Sequence, residues 1–283
     1  MNSIVVPAQR ERNVLHTSLA FVRRHILAVY SLLFFAYLLL PIAVVVLFSF
    51  NHPAGKFNYT WQGFTWDNWI HWDGVPGIRS AIVLSLEIAL IASLVATALG
   101  TLIALALVRY GFRGRAATNI LIFLPLSTPE IVLGASLLTL FLNVTWLPLG
   151  FWTILIAHVM FCISFAVVTV KARLVGFDRH LEEAAKDLGA NERMTFQKVT
   201  LPLTAPAILA ALLLCFAISI DDFVVTYFNS GASVTFPLFV WGAARIGTPP
   251  QVNVIGTAIF VVAVTLMLAN VVLQRLRESK GAV

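Results

Sequence analysis

The sequence predicts an all-α integral membrane protein with six transmembrane helices. Of its 283 residues, 59% are hydrophobic and only 11% are charged, whereas soluble domains are roughly 45–50% apolar and about 25% charged. So few charges cannot cover a soluble protein of this length. Six apolar segments are each long enough to cross about 30 Å of hydrocarbon. The same composition excludes a disordered chain and a disulfide scaffold.

The six predicted spans divide the chain in a simple way. They are residues 26–50, 81–108, 119–142, 149–170, 203–227 and 254–273. A cytoplasmic tail (1–25) comes before the transmembrane domain (26–273), and a second cytoplasmic tail (274–283) follows it. The domain includes a cytoplasmic loop (171–202) and an outer segment (230–253), which Pro and Gly interrupt too often for it to span.

The basic residues set the orientation. Of the 19 Lys and Arg, 16 fall in the two tails and the connections after the second and fourth spans. Cytoplasmic connections carry this excess, so both termini are expected in the cytoplasm. The net charge of +6 is therefore a sign of topology and does not predict nucleic-acid binding. The seven Trp fall on or beside the opposite connections. Two interpretations of them are open: an aromatic belt at the membrane interface, and contact with an external partner or a cationic solute.

Small residues in the spans predict close helix packing. Ala92, Ala96 and Gly100 begin a ridge that recurs every four residues in the second span, and small side chains let membrane helices approach closely. Cys162 and Cys215 both lie inside spans, and we expect two buried core residues rather than a disulfide.

The loop between the fourth and fifth spans predicts two short helices, 180–188 and 191–199. Gly189 separates them at a position where a helix end favours a left-handed residue, and Pro202 marks the return to the membrane. On physical grounds alone, a solvated connector and a docking element are both open.

Seven residues of this loop form a spaced pattern: Glu183-Ala184-Ala185, Gly189, Val199 and Leu201-Pro202. The pattern resembles the E-A-A-x3-G-x9-I-x-L-P loop of type I ABC importer permeases, with Val in place of Ile. The resemblance implies the permease fold of that family and a loop that docks on a cytoplasmic ATPase. Glu183, Ala184, Ala185, Gly189 and Pro202 would then form the coupling element.

A finer resemblance covers most of the chain. The segments LPLSTPEIVLGASLL, ISIDDFVVTYF and FPLFVWGAARIGTPPQVN are similar to the spermidine/putrescine permeases. The resemblance implies a multi-pass protein of the bacterial inner membrane that imports polyamines by alternating access. Its partners would be a homologous permease, two ATPase subunits, a solute-binding protein outside the membrane and lipid. No phosphate-cradling G-x4-G-K-[ST] motif occurs, so the chain is not expected to be an enzyme, and ATP and Mg would bind to the ATPase subunits.

Four carboxylates fall within the predicted spans: Glu87, Glu130, Asp221 and Asp222. A charge in hydrocarbon costs on the order of 2.5–3.5 kcal/mol, so such residues usually face a bundle interior or a water-filled path. No Lys or Arg lies in a span, which favours a cationic solute. Protonated carboxyls, or positions at the outer interface, are the alternative.

We expect Glu130, Asp221 and Asp222 to form the substrate pathway. Neighbouring residues on a helix point about 100° apart, so one aspartate of the pair should face inward, and Asp222 is preferred. The nearby aromatic side chains are candidates for cation–π contacts: Phe223, Tyr227 and Trp241.

Other functions are open at this point. The same architecture could carry another small cation, or protons could drive a secondary transporter through the carboxylates, although the E-A-A loop argues against the latter. His158 is a lone histidine in an apolar span. Two roles for it are open: a packing residue and a relay for protons.

Overall fold

The computed structural model describes residues 8–144 and 146–281, with side chains described for residues 25–265 except 145, and for 268. In chain order the helices are α1 (Ala8–Ser49), α2 (Asp67–Ile70), α3 (Ile78–Arg109), α4 (Arg115–Ser127), α5 (Glu130–Leu142), α6 (Phe151–Val175), α7 (His180–Asp187), α8 (Glu192–Thr195), α9 (Leu201–Asp221), α10 (Val224–Asn229), α11 (Phe236–Ile246) and α12 (Pro250–Gly281). A π-helical turn, Phe196–Thr200, joins α8 to α9. Across these described residues there is no β-strand, only one isolated bridge, which confirms the all-α class.

Four of the described helices are long and apolar enough to cross a membrane: α1 from His25, α3, α6, and the helix that runs from Glu192 to Asp221. The α4–α5 pair makes a fifth if its two bent halves count as one span. The predicted sixth span, 254–273, lies on α12, but most of its side chains after residue 265 are outside the described ones. Six spans and cytoplasmic termini therefore stay predictions. The predicted N-terminal tail is helical from Ala8 onward.

The predicted third span, 119–142, is wrong as a continuous helix. It is two helices, α4 and α5, that meet at an angle of 108°. Pro129 has no backbone N–H and restricts the residue before it to extended backbone, and Thr128 has φ −82° and ψ 131°. The proline therefore turns the chain.

The predicted fifth span, 203–227, is also broken. Helix α9 ends at Asp221 and α10 begins at Val224, with Asp222 extended at φ −64° and ψ 121°. At the other end, the predicted stop near residue 199 is wrong, because the π turn leads directly into α9. Pro202 follows this π turn directly as the second residue of α9 and does not end the helix.

The chain divides into two compact units. The first comprises the chain up to Gly74 and again from Gly247, and contains α1, α2 and α12. In it, Asn51 ties the segment after α1 together, since its amide donates to Asn58 Oδ1 at 2.6 Å and to the Thr60 carbonyl at 2.8 Å. Aromatic rings pack around this segment, with Phe50 stacked on Phe64 and Trp69.

The second unit, residues 75–246, has a core of α3, α6 and α9. The small-residue ridge of α3 is buried as predicted, with Ala92 and Ala96 fully covered. At Gly100, a Cβ atom would lie 2.5 Å from Ala166 Cβ on α6. Cys162 and Cys215 are buried and free, which confirms that they are core residues and not a bridge.

We expect Gly100→Ala to destabilise the protein. Alanine gains up to about 1 kcal/mol of helix propensity, but overpacking typically costs about 1–3 kcal/mol. The new methyl would also lie 3.1 Å from the Val167 backbone nitrogen, which cannot rotate away. Thermal unfolding of purified protein in detergent should give a lower midpoint. Gly111→Ala is the control, because a Cβ there meets nothing within 4 Å; equal midpoints for both variants would contradict this packing.

Candidate functional site

A cavity of about 410 Å³ lies where the two broken helices meet. Its lining comes from α4, α5, α6, α9 and α10 and includes both breaks in the chain. The lining residues are Pro125, Leu126, Thr128, Glu130, Leu133, Phe161, Phe165, Ile218, Asp221, Asp222, Phe223, Val224 and Val225. Non-helical backbone at membrane depth is tolerated where it is buried in protein or lines a cavity, so this cavity accommodates both breaks.

The electrostatics of the cavity favour a cation. Its walls carry three carboxylates and, among the described residues that line it, no Lys or Arg. The helix ends add no net sign of charge, because the last turns of α4 and α9 and the first turns of α5 and α10 all contribute to the lining. The cavity therefore combines the fixed negative charge of its carboxylates with the apolar rings of Phe161 and Phe165.

The three carboxylates differ in their surroundings. Glu130, the first residue of α5, and Asp221, the last residue of α9, are both exposed. Within the described part of the chain, neither of these two carboxylates has a hydrogen-bond or ion-pair partner. The side chain of Asp222 is only 8% exposed. The preferred pathway residue, Asp222, is thus the enclosed member of the pair, and Asp221 is the open one.

Asp222 is held by the turn that follows it. Its Oδ2 accepts the backbone N–H of Thr226 at 2.7 Å and the Thr226 hydroxyl at 2.8 Å. A side chain that accepts a backbone N–H at the start of a helix acts as its cap. Asp222 therefore ends α9 and starts α10, which is the physical reason for the second break.

His158 on α6 completes this buried group. Its Nε2 lies 2.9 Å from Thr226 Oγ1 and 3.3 Å from Asp222 Oδ2, and its Nδ1 lies 2.7 Å from Ser219 Oγ. An ionised carboxylate only accepts, so the Thr226 proton goes to Asp222, and Thr226 Oγ1 must accept from His158 Nε2–H. Ser219 can then donate to Nδ1. Every group is satisfied with a neutral imidazole, which favours the packing role for His158.

The predicted aromatic residues occupy two layers. Phe223 lines the cavity, and its ring centroid lies 5.7 Å from that of Tyr227 and 5.2 Å from that of Trp241. Neither of those two is among the lining residues. The Arg245 guanidinium lies 4.6 Å from the Trp241 ring, so the chain supplies its own cation to that ring.

The loop between α6 and α9 has the helix end that was predicted. Gly189 has φ +87°, its N–H donates to the Lys186 carbonyl at 2.8 Å, and the Ala190 N–H donates to the Ala185 carbonyl at 3.0 Å. These two bonds form a Schellman motif. Helix α7 exposes Glu183 and Ala184, and Leu188 just after it is 90% exposed.

Sequence reasoning missed Phe161 and Phe165, and it identified His158 without the partners that make it part of this site. His158, Phe161 and Phe165 lie on one face of α6, because residues three and four apart in a helix are neighbours. That spacing is visible in the sequence. The partners of these residues on α9 and α10 are not, since Ser219 and Thr226 lie 61 and 68 residues away from His158.

We expect Thr226→Val to weaken this group. Valine keeps the shape but removes the hydroxyl, which leaves His158 Nε2–H without its closest acceptor and Asp222 with one donor fewer. Leaving a buried polar group unsatisfied costs about 1–3 kcal/mol, so the unfolding midpoint in detergent should fall. Thr139→Val is the matched control, because its exposed hydroxyl bonds only to the Ala135 carbonyl of its own helix. Equal midpoints for the two variants would contradict the assignment of hydrogen-bond donors and acceptors among Thr226, Asp222 and His158.

Known proteins show similarity along most of the chain. Residues 96–279 match the family model of the binding-protein-dependent transport system inner membrane component. The spermidine/putrescine transport system permease protein PotC of Haemophilus influenzae is 40% identical over 242 residues, which are 85% of this chain and 93% of that protein. The putrescine transport system permease protein PotI of Escherichia coli is 38% identical over 239 residues, covering 81% and 83% of the two chains.

Solved structures show the same fold. A chain of a bacterial alginate ABC transporter, in complex with an alginate pentasaccharide-bound periplasmic protein, has a TM-score of 0.62 at 18% identity and covers 92% of this chain and 94% of that one. The fold is that of type I ABC importer permeases, and the resemblance expected from the E-A-A loop is confirmed. The chain therefore belongs to the family of inner membrane components of binding-protein-dependent transport systems, as a multi-pass protein of the inner membrane.

Proposed function

We propose that the chain is a permease subunit of an ATP-driven importer that carries polyamines into the cytoplasm by alternating access. The observation that carries the proposal is the acidic cavity at the two helix breaks, with Glu130 and Asp221 open to it. The relatives named for spermidine and putrescine transport support the same solute class. A homologous permease, two ATPase subunits and an external solute-binding protein complete the proposed assembly.

The chemistry of a polyamine fits this cavity. Ammonium groups separated by methylene chains need separated carboxylates with apolar surface near them. Glu130 begins α5 and Asp221 ends α9, so the two carboxylates belong to different helices, and Phe161, Phe165 and Phe223 provide the apolar walls. A ring face also attracts an ammonium group by about 0.5–2 kcal/mol.

Transport requires binding that is also reversible. Two unit charges 4 Å apart attract by about 4 kcal/mol at an effective dielectric constant of 20, and both charges must lose water first. Exposed carboxylates such as Glu130 and Asp221 keep part of their hydration, which limits the affinity. Asp222 is already bonded to Thr226, so its role is to hold the break and to add negative charge behind the open pair.

Uptake of labelled spermidine or putrescine tests the solute proposal. We expect Asp221→Asn and Glu130→Gln each to lower uptake roughly tenfold, which is about 1.4 kcal/mol of transition-state stabilisation. The measurement uses cells with matched amounts of each variant in the membrane. Glu87→Gln is the control, since Glu87 is an exposed carboxylate of a span that does not line the cavity. Normal uptake by both cavity variants would overturn the carboxylate pathway.

Helix α7 is the proposed ATPase-docking element, formed by Glu183, Ala184 and Ala185 with Gly189 as its end. Leu181 on this short charged helix and Leu188 directly after it support this, because both are exposed apolar side chains. Such surface commonly marks an interaction site. Pro202 is then the second residue of α9, on the membrane side of the π turn.

We expect Gly189→Val to uncouple transport. A Cβ at Gly189 would meet nothing within 4 Å, so the cost comes only from the positive φ, which a β-branched residue adopts rarely. Solute uptake should fall while the amount of protein in the membrane stays constant. Gly189→Asn is the matched control, since Asn is several-fold enriched among residues with positive φ. If the two variants transport equally well, the left-handed turn is not part of the coupling.

A further inference from the structure

A second polar cluster lies away from the cavity, where the cytoplasmic loop meets two spans. Arg109 is the last residue of α3, Glu182 is in α7, and Thr200 ends the π turn before α9. Arg109 Nη2 donates to Thr200 Oγ1 at 3.0 Å and also to Glu182 Oε1. Thr200 donates its hydroxyl proton to the same Glu182 oxygen. One carboxylate therefore joins three elements.

The surroundings make this cluster more than a surface ion pair. The Arg109 and Glu182 side chains are 29% and 19% exposed, and Thr200 is fully buried. Exposed ion pairs contribute little because water screens them and both side chains lose freedom. Here the carboxylate accepts two donors, one of them charged, in a sheltered place, and charge-assisted bonds are the stronger kind.

A separate contact joins the same loop to α3. The Arg179 guanidinium donates to the Val108 carbonyl at 2.9 Å, which satisfies one of the last carbonyls of that helix. Arg179 comes directly before α7. The start of α7 is thus attached to the end of α3 through a backbone carbonyl and through the Arg109–Glu182 pair.

The neighbouring glutamate has a different environment. The Glu183 side chain is 67% exposed, and the one polar partner it has among the described side chains is His180 of its own helix, at 3.1 Å. Adjacent residues on a helix point about 100° apart. Glu182 therefore faces the spans and Glu183 faces outward, so the two carboxylates of this helix have separate surroundings.

We propose that Glu182 is a positioning residue that transmits the movement of α7 to α3 and α9 through Arg109 and Thr200. The inference rests on the proposed coupling to an ATPase. Helices α3 and α9 pack on each other and on α6, so a displacement passed to their cytoplasmic ends moves the core that carries Asp221. The π turn ends at Thr200, directly before α9, and single π-helical turns are frequent at functional positions.

The test uses the complex purified through a tag on this chain, with Asp221→Cys as a reporter in the cavity. Cys162 and Cys215 are fully buried and need not be removed. ATP with vanadate should change the rate at which the introduced thiol reacts with a maleimide. In Glu182→Gln we expect that nucleotide-dependent change to shrink roughly tenfold, while the ATPase subunit co-purifies in normal amount.

Charge exchange provides the second arm. Arg109→Glu and Glu182→Arg should each abolish the nucleotide-dependent change, and the double variant should restore most of it. Glu192→Gln is the matched control, since the Glu192 side chain is 92% exposed and, in the described part of the chain, pairs only with Lys186 at 3.7 Å. A normal nucleotide response in Glu182→Gln, or no recovery in the double variant, would overturn the proposal. So would loss of the ATPase from Glu182→Gln, which would make Glu182 a docking residue.

The readout separates this proposal from the proposed function. The maleimide rate requires no solute, so a wild-type complex that fails to import spermidine would overturn the solute class and leave the Glu182 test intact. If no ATPase co-purified with the wild-type chain, the proposed importer itself would fail.

Discussion

Backbone groups freed at a helix break inside an apolar bundle need new partners, and this requirement organises the second unit of the chain. At the first break, Pro129 removes one donor outright, and the Thr128 N–H still reaches the Leu124 carbonyl at 3.0 Å. At the second break, the Asp222 carboxylate accepts a hydrogen bond from the Thr226 N–H. Each unpaired group would cost several kcal/mol in hydrocarbon. The cavity lies where both breaks are accommodated.

The second break explains why a buried carboxylate is present at all. A charge that only served stability could be replaced by apolar packing at little cost. Asp222 caps α10. Because it accepts the Thr226 hydroxyl proton, Thr226 Oγ1 accepts from His158, which places the imidazole proton on Nε2. The charge of Asp222 adds to the field in the cavity, while its geometry is fixed by Thr226 and leaves little freedom to follow a moving solute. Asp221, without such bonds, keeps that freedom.

The sequence predicted those features that local rules control. Apolar length located most of the spans, the four-residue repeat identified the packing ridge, and Gly189 identified the end of α7. The break after Thr128 was visible as Pro129, although the extent of the bend was not. The break at Asp222 carries no Pro or Gly, so its origin in the Thr226 contact could be found only from the folded chain. The length of α12 as a span is still a prediction.

The adjacent carboxylates show most clearly where a sequence stops being informative. Asp221–Asp222 and Glu182–Glu183 each place two identical charges side by side, and the members of each pair face different directions. Glu182 and Glu183 diverge because successive residues of a helix point about 100° apart, and Asp221 and Asp222 diverge because α9 ends between them. The sequence does not say which member faces inward. That choice depends on Thr226 and His158 for the first pair and on Arg109 and Thr200 for the second. Arg109 lies 73 residues from Glu182 in the chain. In both pairs the bonded carboxylate fixes a junction between helices, and its neighbour is turned outward: Asp221 is exposed, and Glu183 contacts His180 of its own helix.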